Sequence, residues 1–454
     1  MEGETLSLKH YQFSLDVIAK VGHLRFNEHK TIRQIRCILK QRFKLQISRS
    51  EVNLLCQVYL ALIKANRQQD TAFLEKLRSS GVVLSIDGVQ PEKGNETLWI
   101  LRDVQSGEVL LAKNLSCADT DNIASLLRET KALNVPVKGI VSDGQRSIRL
   151  AVKQEFPGVP HQLCHFHFLR NIAKPIIDLD RALKVDLKKK VRGIRTVEKK
   201  ASFANDEKAK VIKQYCEAIY VALRDDGVYP LKPGGLRLWR CLRKIQQSIQ
   251  KNNKAEAHAD LERLLKVLSI VDELELRYRR VRRLYRLIFE ANTILRQEEK
   301  ADKVQADMQT YVDGLKTLHF RRHEEKAAVL NIIKFTASYW EGLFHHYDHM
   351  EIPRTNNDLE VYIRSLKVAH RKTTGRVSCQ GYIVRYGAYV ALLDSSVSQG
   401  RMLFRLRLVG YREFRRCFVE IRSFRGRLSF KRNMSGNLSG FLCALEHDWA
   451  KSIV

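Results

Sequence analysis

The sequence predicts an α/β fold: a mixed β-sheet core divided by a large all-α insertion and preceded by a helix-turn-helix. Three observations predict it. The first 70 residues carry apolar side chains at helical spacing; from residue 82 to about 175 short β-branched runs alternate with helical stretches; and from about 175 to 350 strand character disappears. With 454 residues the chain is long enough for about three domains of ~150 residues.

The N-terminal helices are read from their apolar faces. Leu15, Ile18, Ala19 and Val21 form the first, and Thr31 opens TIRQIRCILKQRF, in which Ile32, Ile35, Ile38 and Leu39 recur at helical spacing. After the connector KLQI, Ser48 is positioned to cap RSEVNLLCQVYLALIKANR. Two helices joined by a short turn, with Arg49, Ser50 and Asn53 at the start of the second, match a helix-turn-helix, whose second helix enters the DNA major groove. These three residues are the candidate DNA-binding set; a plain three-helix bundle is the alternative.

The core follows. VVLSIDGV, ETLWILRDV and EVLLAKNL read as three strands, the last two joined by a hairpin at QSG. DTDNIASLLRETKALN is a helix striped by Ile123, Leu126, Leu127 and Leu133. VKGIVSDG is a fourth strand, and QRSIRLAVKQEF a helix stopped by Pro157 and Gly158. VPHQLCHFHF reads as a fifth strand running into the helix FLRNIAKPII. The helical block is broken only around Pro233 and Gly235, and it ends at Pro353, where RTNNDLEVYIRSLK restarts a helix capped by Thr355 or Asn356. The expected organisation is a helix-turn-helix domain at 1–70, a first core segment at 80–178, a helical insertion at 179–350, a second core segment at 351–400 and a basic C-terminal region at 401–454.

Lysine plus arginine number 80 against 50 aspartate plus glutamate, a formal charge of +30, which points to a polyanionic partner. The basic residues recur in every region, so DNA is favoured over a membrane surface. No apolar run reaches the ~18 to 20 residues of a membrane span, and the opening MEGETLSLKHYQFSLD has no secretory pattern, so a soluble, intracellular, DNA-associated protein is expected. Nine irregularly spaced cysteines exclude a disulfide scaffold. There is no phosphate-binding G-x-x-x-x-G-K-[ST] loop, and neither Ser85 nor Ser142 lies in a G-x-S-x-G elbow.

LSIDG at 84–88 and IVSDG at 140–144 each set an aspartate at the carboxyl end of an apolar strand, followed by a glycine where the chain is expected to turn. On neighbouring strands ~4.8 Å apart, Asp87 and Asp143 would converge. Two such carboxylates repel unless a cation lies between them, and Mg²⁺, which takes oxygen ligands and leaves room for water and phosphate, suits the pair. The plainer alternative is that each Asp-Gly starts a turn.

The strand order, with one aspartate on the first strand and another on the fourth, is similar to the RNase H-like core of DDE transposases and retroviral integrases. TNNDLEVYIRSLK at 355–367 resembles the segment that carries the third acid in Mutator-like and IS256-like transposases, which points to Glu360. CHFH resembles the C-x-x-H signature of the same group, at Cys164 and His167. The resemblance implies a transposase that cleaves and joins the ends of a mobile DNA element. Asp87, Asp143 and Glu360 would hold two Mg²⁺ or Mn²⁺ ions, double-stranded DNA would be the partner, and the active complex would be a homo-oligomer. A transposase-derived DNA-binding protein that no longer cuts and an RNase H-like nuclease are the alternatives.

Asp358 rivals Glu360 but lies roughly 200° around the helix from it, so both cannot face one metal; Glu360 could also pair with Arg364 on the surface. A zinc site at Cys164 and His167 lacks a second ligand pair nearby. Arg279, Arg280, Arg282, Arg283 and Arg286 outnumber local acids and suggest a phosphate-tracking helix. Trp239 and Trp340 are expected in the core rather than stacked on bases.

Overall fold

The computed structural model describes residue 8 and residues 11–90, 96–201, 206–394 and 397–452, without the side chains of 200–201, 424–433 and 452. Residues 1–7, 9 and 10 of the opening segment, and the 424–433 side chains of the arginine-rich end, therefore lie outside the described residues. The chain divides into two compact units, Met1–His161 with Glu351–Val454, and Gln162–Met350.

The chain opens with α1 (Leu15–Gly22), α2 (Ile32–Phe43), α3 (Arg49–Gln69) and α4 (Thr71–Ser80). Both α2 and α3 begin in capping boxes, Thr31 with Gln34 and Ser48 with Glu51, in which side chain and backbone satisfy each other's exposed amides. Each cap contributes about 1 kcal/mol. Lys44, with φ of 57°, turns the chain between the two helices. Gly22 lets α1 close onto α3, because a Cβ there would lie 2.3 Å from the Tyr59 ring.

The sheet is built from β1 (Val82–Val89), β2 (Thr97–Asp103) and β3 (Val109–Leu115), then β4 (Val137–Ser142) and β5 (His161–Leu163), with α5 (Thr120–Lys131) and α6 (Arg146–Glu155) between them. Its order is β3-β2-β1-β4-β5; β1 and β2, and β2 and β3, are antiparallel, while β1 and β4 are parallel. This is the mixed α/β core expected.

The insertion comprises α7 (His165–Lys190), α8 (Ile194–Ala201), α9 (Glu207–Arg224), α10 (Gly234–Ala255), α11 (Ala259–Leu268), α12 (Ile270–Glu273), α13 (Glu275–Ile294), α14 (Ala301–Thr317), α15 (His323–Tyr339) and α16 (His345–Asp348). The chain then returns to the first unit with α17 (Asn357–Thr374), α18 (Gln380–Val390), α19 (Gln399–Arg407), α20 (Tyr411–Gly436) and α21 (Leu438–Ser452).

Alternation along the strands gives the sheet two apolar faces. Leu84, Ile86, Trp99, Leu101 and Ile140 pack with Ile123, Leu127 and Ile148 of α5 and α6. Leu98, Ile100 and Ala112 join Leu359, Ile363, Ile383 and Tyr389 of α17 and α18 on the other. Ser85 and Asp87, out of phase with Leu84 and Ile86, therefore belong to the α17 side.

In the second unit α7 is the central helix: Phe168, Ile172, Ile176 and Leu183 share one core with Trp239, Leu242, Tyr285, Ile288 and Ile332. Trp239 stacks on Tyr278 at 3.7 Å between centroids and donates its Nε1 proton to the Val271 carbonyl at 2.9 Å. Trp340 packs edge-on against Phe344 at 5.1 Å. Both tryptophans are structural, as their sequence context suggests. A buried carboxylate, Asp180, accepts from the Gly235 and Leu236 amides at 2.7 and 2.8 Å and so caps α10 just beyond the predicted break at Pro233.

Two local expectations are corrected. β1 does not turn at Asp87-Gly88 but continues to Val89, because Gly88 stays in the ladder opposite Trp99. The fifth strand is only three residues long: Cys164 is the N-cap of α7, and His165 and His167 lie on that helix, so the side chains from Cys164 onward do not alternate across a sheet.

Candidate active site

Three elements of the first unit bring the sequence-predicted acids to the same end of the sheet. β1 and β4 run parallel with Ser85 opposite Val141; Asp87 and Asp143 each lie two residues further along, Asp87 still within β1 and Asp143 beyond the paired residues. Asp143 lies just past the end of β4, where its Oδ1 accepts from the Gln145 amide at 2.9 Å. Gly144 makes that turn at φ 82°, a conformation glycine adopts without the Cβ clash other residues meet. Glu360 lies in the first turn of α17.

Asp87 records the convergence electrostatically. Burial pushes its carboxyl up, and the neighbouring Asp143 raises it further. Glu360 adds a weaker upward push, while the Gly88 amide, 2.8 Å from Asp87 Oδ1, and Lys367 pull it down; the balance is about 7. Asp143, Glu360 and Lys367 are therefore all within electrostatic reach of Asp87. Glu360 and Lys367 are seven residues apart, two turns along one face of α17.

Asp358 does not share that face. It is exposed and pairs with Arg102 of β2, whose guanidinium also covers the Tyr362 ring at 4.8 Å. The separation of Asp358 from Glu360 around the helix is thus realised.

Several residues that fix the acids were not singled out by sequence. Asn356 is the N-cap residue of α17, yet its side chain makes no cap bond; it is buried, with Oδ1 accepting from the Ser85 hydroxyl at 2.7 Å and Nδ2 donating to the Ile86 carbonyl at 3.1 Å. Ser85 and Ser142, considered only as nucleophiles, flank the acids as hydrogen-bonding residues: Ser142 Oγ lies 2.9 Å from His161 Nε2. Lys367 is a basic residue in a helix full of them, and nothing in the sequence marks it. The available signal is a serine within two residues before each aspartate, Ser85 before Asp87 and Ser142 before Asp143.

Carboxylates are hard oxygen donors, and Asp87, Asp143 and Glu360 are the residues of this region that could hold a divalent cation. Among the described residues no group of three or more His, Cys, Asp or Glu side chains stands close enough together to hold a metal ion. The acids share a field rather than a ready coordination sphere. Cys164 and His167 belong to the second unit, at the start of α7. Arg49 and Ser50 are exposed and Asn53 half-buried on the first turn and a half of α3. No disulfide joins any of the nine cysteines, and among the described residues no helix is long and apolar enough to cross a membrane.

Residues 119–171, which include Asp143, Cys164 and His167, match the family model of the MULE transposase domain. Residues 239–381, which include Glu360 and Lys367, match that of the IS66 transposase family. No curated protein matches the chain. Over these two stretches the chain is similar to transposases of the Mutator-like and insertion-sequence groups.

Proposed function

We propose that this protein is a DDE-type transposase that cleaves the ends of a mobile DNA element and transfers the strands by metal-dependent phosphoryl transfer. The observation that carries this reading is the buried Asn356 bridge that fixes the helix bearing Glu360 on the strand bearing Asp87, where burial, Asp143 and Glu360 together push the Asp87 carboxyl up. An acid left so close to neutrality in a buried strand costs stability unless a cation relieves it. The two transposase family matches, one spanning Asp143 and the other Glu360, support the same reading.

In this mechanism Asp87, Asp143 and Glu360 are the catalytic and metal-binding residues. Bound there, two Mg²⁺ or Mn²⁺ ions would supply an activated water or 3′-hydroxyl and a stabilised leaving oxygen for in-line displacement. With such an ion bound, Asp87 would hold it as the carboxylate, its proton having passed to solvent. Asn356 holds the start of α17 on β1, so that Glu360 stays beside Asp87. Lys367 offers its ammonium to a phosphate oxygen on the same helix face. In the rest of the chain, 1–70 is a helix-turn-helix that reads the element ends through Arg49, Ser50 and Asn53. The segments 80–178 and 351–400 form an RNase H-like core, 179–350 is an insertion within it, and 401–454 is a basic region. Cys164 and His167 are the family signature, positioned at the head of α7. The working form is a homo-oligomer on double-stranded DNA.

The test uses purified full-length protein, Mn²⁺ and duplexes from the sequences that flank its reading frame. Strands are nicked or joined at the element boundary, and Asp143→Asn removes this while DNA binding persists. DNA binding without cleavage in the unaltered protein would leave the non-cutting DNA-binding alternative. Cleavage of generic hybrids with no preference for these ends would favour the nuclease.

A further inference from the structure

Within the second unit, several basic residues of α10 and α13 are used in ion pairs. Arg237 of α10 meets Asp225 at 2.6 Å, Arg243 of α10 pairs with Asp272, and Arg277 of α13 meets Asp186 at 2.6 Å. One place departs from this. Between α13 and the turn 318–322, which joins α14 to α15, lies an open cleft of about 530 Å³ lined by Arg279, Arg280, Arg283, Arg321 and Arg322, with His319 at its rim.

Among the described residues, Arg279 and Arg283 have acidic partners and the other three arginines have none. Arg279 is held by Glu275 at 2.6 Å, one turn before it, and Arg283 lies 3.5 Å from Glu325. Glu325 is buried beneath the cleft, and its other carboxylate oxygen has no hydrogen-bond partner, so one negative charge steadies Arg283 from below without neutralising the group. Arg280 spends its Nε proton on the Leu276 carbonyl at 3.3 Å, and Arg321 and Arg322 are exposed with no acid within ion-pair distance among the described residues. Arg280 and Arg322 also line an adjoining cleft of about 270 Å³, where Glu324 and Glu325 face them, so the unneutralised surface is confined to the first opening.

We propose that this arginine cleft is a binding site for consecutive phosphate groups of a nucleic-acid backbone. Guanidinium forks match phosphate oxygens two at a time, which ammonium groups do not. Arg279, Arg280 and Arg283 present their guanidinium groups from α13. The turn sets Arg321 and Arg322 across from them, so the backbone is gripped from two elements. The site is separate from the carboxylates and shares with the proposed function only that the partner is nucleic acid.

The test is fluorescence-anisotropy binding of a labelled random-sequence duplex by the full chain, in EDTA so that no cleavage is needed, at a series of salt concentrations. Failure of the carboxylate site therefore leaves this readout untouched. In Arg280→Ala/Arg321→Ala/Arg322→Ala the slope of log K against log salt becomes shallower by between about 2 and 3, because each phosphate that is no longer neutralised takes about 0.9 from it. The milder Arg321→Ala/Arg322→Ala, confined to the turn, lowers it by about 2, and the triple Arg→Lys variant keeps most of the slope. A matched change, Lys244→Ala/Lys251→Ala/Lys254→Ala on exposed positions of α10, moves it far less. An equal loss in the lysine variant would overturn the proposal in favour of diffuse charge. An unchanged duplex slope with lost binding of labelled tripolyphosphate would overturn the nucleic-acid assignment in favour of a free polyphosphate.

Discussion

The Asn356 side chain accepts a hydrogen bond from the Ser85 hydroxyl at 2.7 Å and, through its other end, donates to the Ile86 carbonyl at 3.1 Å. One buried amide therefore ties the helix bearing Glu360 to the strand bearing Asp87. Asn356→Ala leaves a buried hydroxyl and carbonyl without that partner. It is expected to cost about 1–3 kcal/mol in urea denaturation, with Ser85→Ala costing less, about 0.5–1.5 kcal/mol. An unchanged urea midpoint in Asn356→Ala would contradict this clamp.

Asp87 gives the metal-free protein a pH signature. Its carboxyl rises from 3.8 to about 7 on folding, so between these values the folded chain binds more protons than the unfolded one. Stability then falls as pH increases through that window and levels off above it. Asp87→Asn removes this component. In EDTA, the variant's urea midpoint minus that of the unaltered protein should grow between about pH 4 and about pH 7; a constant difference would refute the shift.

The two acids at the start of α17 should separate cleanly. Asp358→Asn breaks only an exposed pair with Arg102, costs about 0–1 kcal/mol and leaves Mn²⁺-dependent cleavage in place. Glu360→Gln keeps the fold and lowers cleavage by more than about 100-fold, since even residues behind a metal ligand contribute about 10- to 100-fold. The reverse pattern in a cleavage time course would move the third acid to Asp358.

Gly139 of β4 lies under the buried Ile352, which leads into α17; a Cβ at 139 would fall 2.3 Å from Ile352 Cδ1 and 2.7 Å from Cγ1. Gly139→Ala is expected to destabilise by about 1–3 kcal/mol through overpacking. Ile352→Ala in the same chain should recover part of that loss, because the two changes meet at one point of packing. Strict additivity in denaturation would contradict it.

The elements are legible because periodicity reports which face is buried. Leu98 and Ile100 against Trp99 and Leu101 alternate as a strand does, and Ser48 with Glu51 announces its helix by capping chemistry. The aspartates are legible because each closes a run of Val, Leu, Ile and Ser and is followed by glycine. Asn356 and Lys367 are not. Their significance lies in what they meet across roughly 270 residues of chain, and an Asn before a helix reads locally as a cap. The extent of the fifth strand escapes the sequence because His, Gln and Cys in HQLCHFH fit a strand or a helix start equally well, and only the packing of α7 decides between them.

Mn²⁺ binding to the full chain by isothermal titration calorimetry, compared among Asp87→Asn, Asp143→Asn, Glu360→Gln and Asp358→Asn, tests the shared carboxylate site most directly. The account predicts that each of the first three loses the binding seen in the unaltered protein while Asp358→Asn retains it. Undiminished binding in all of them would contradict it.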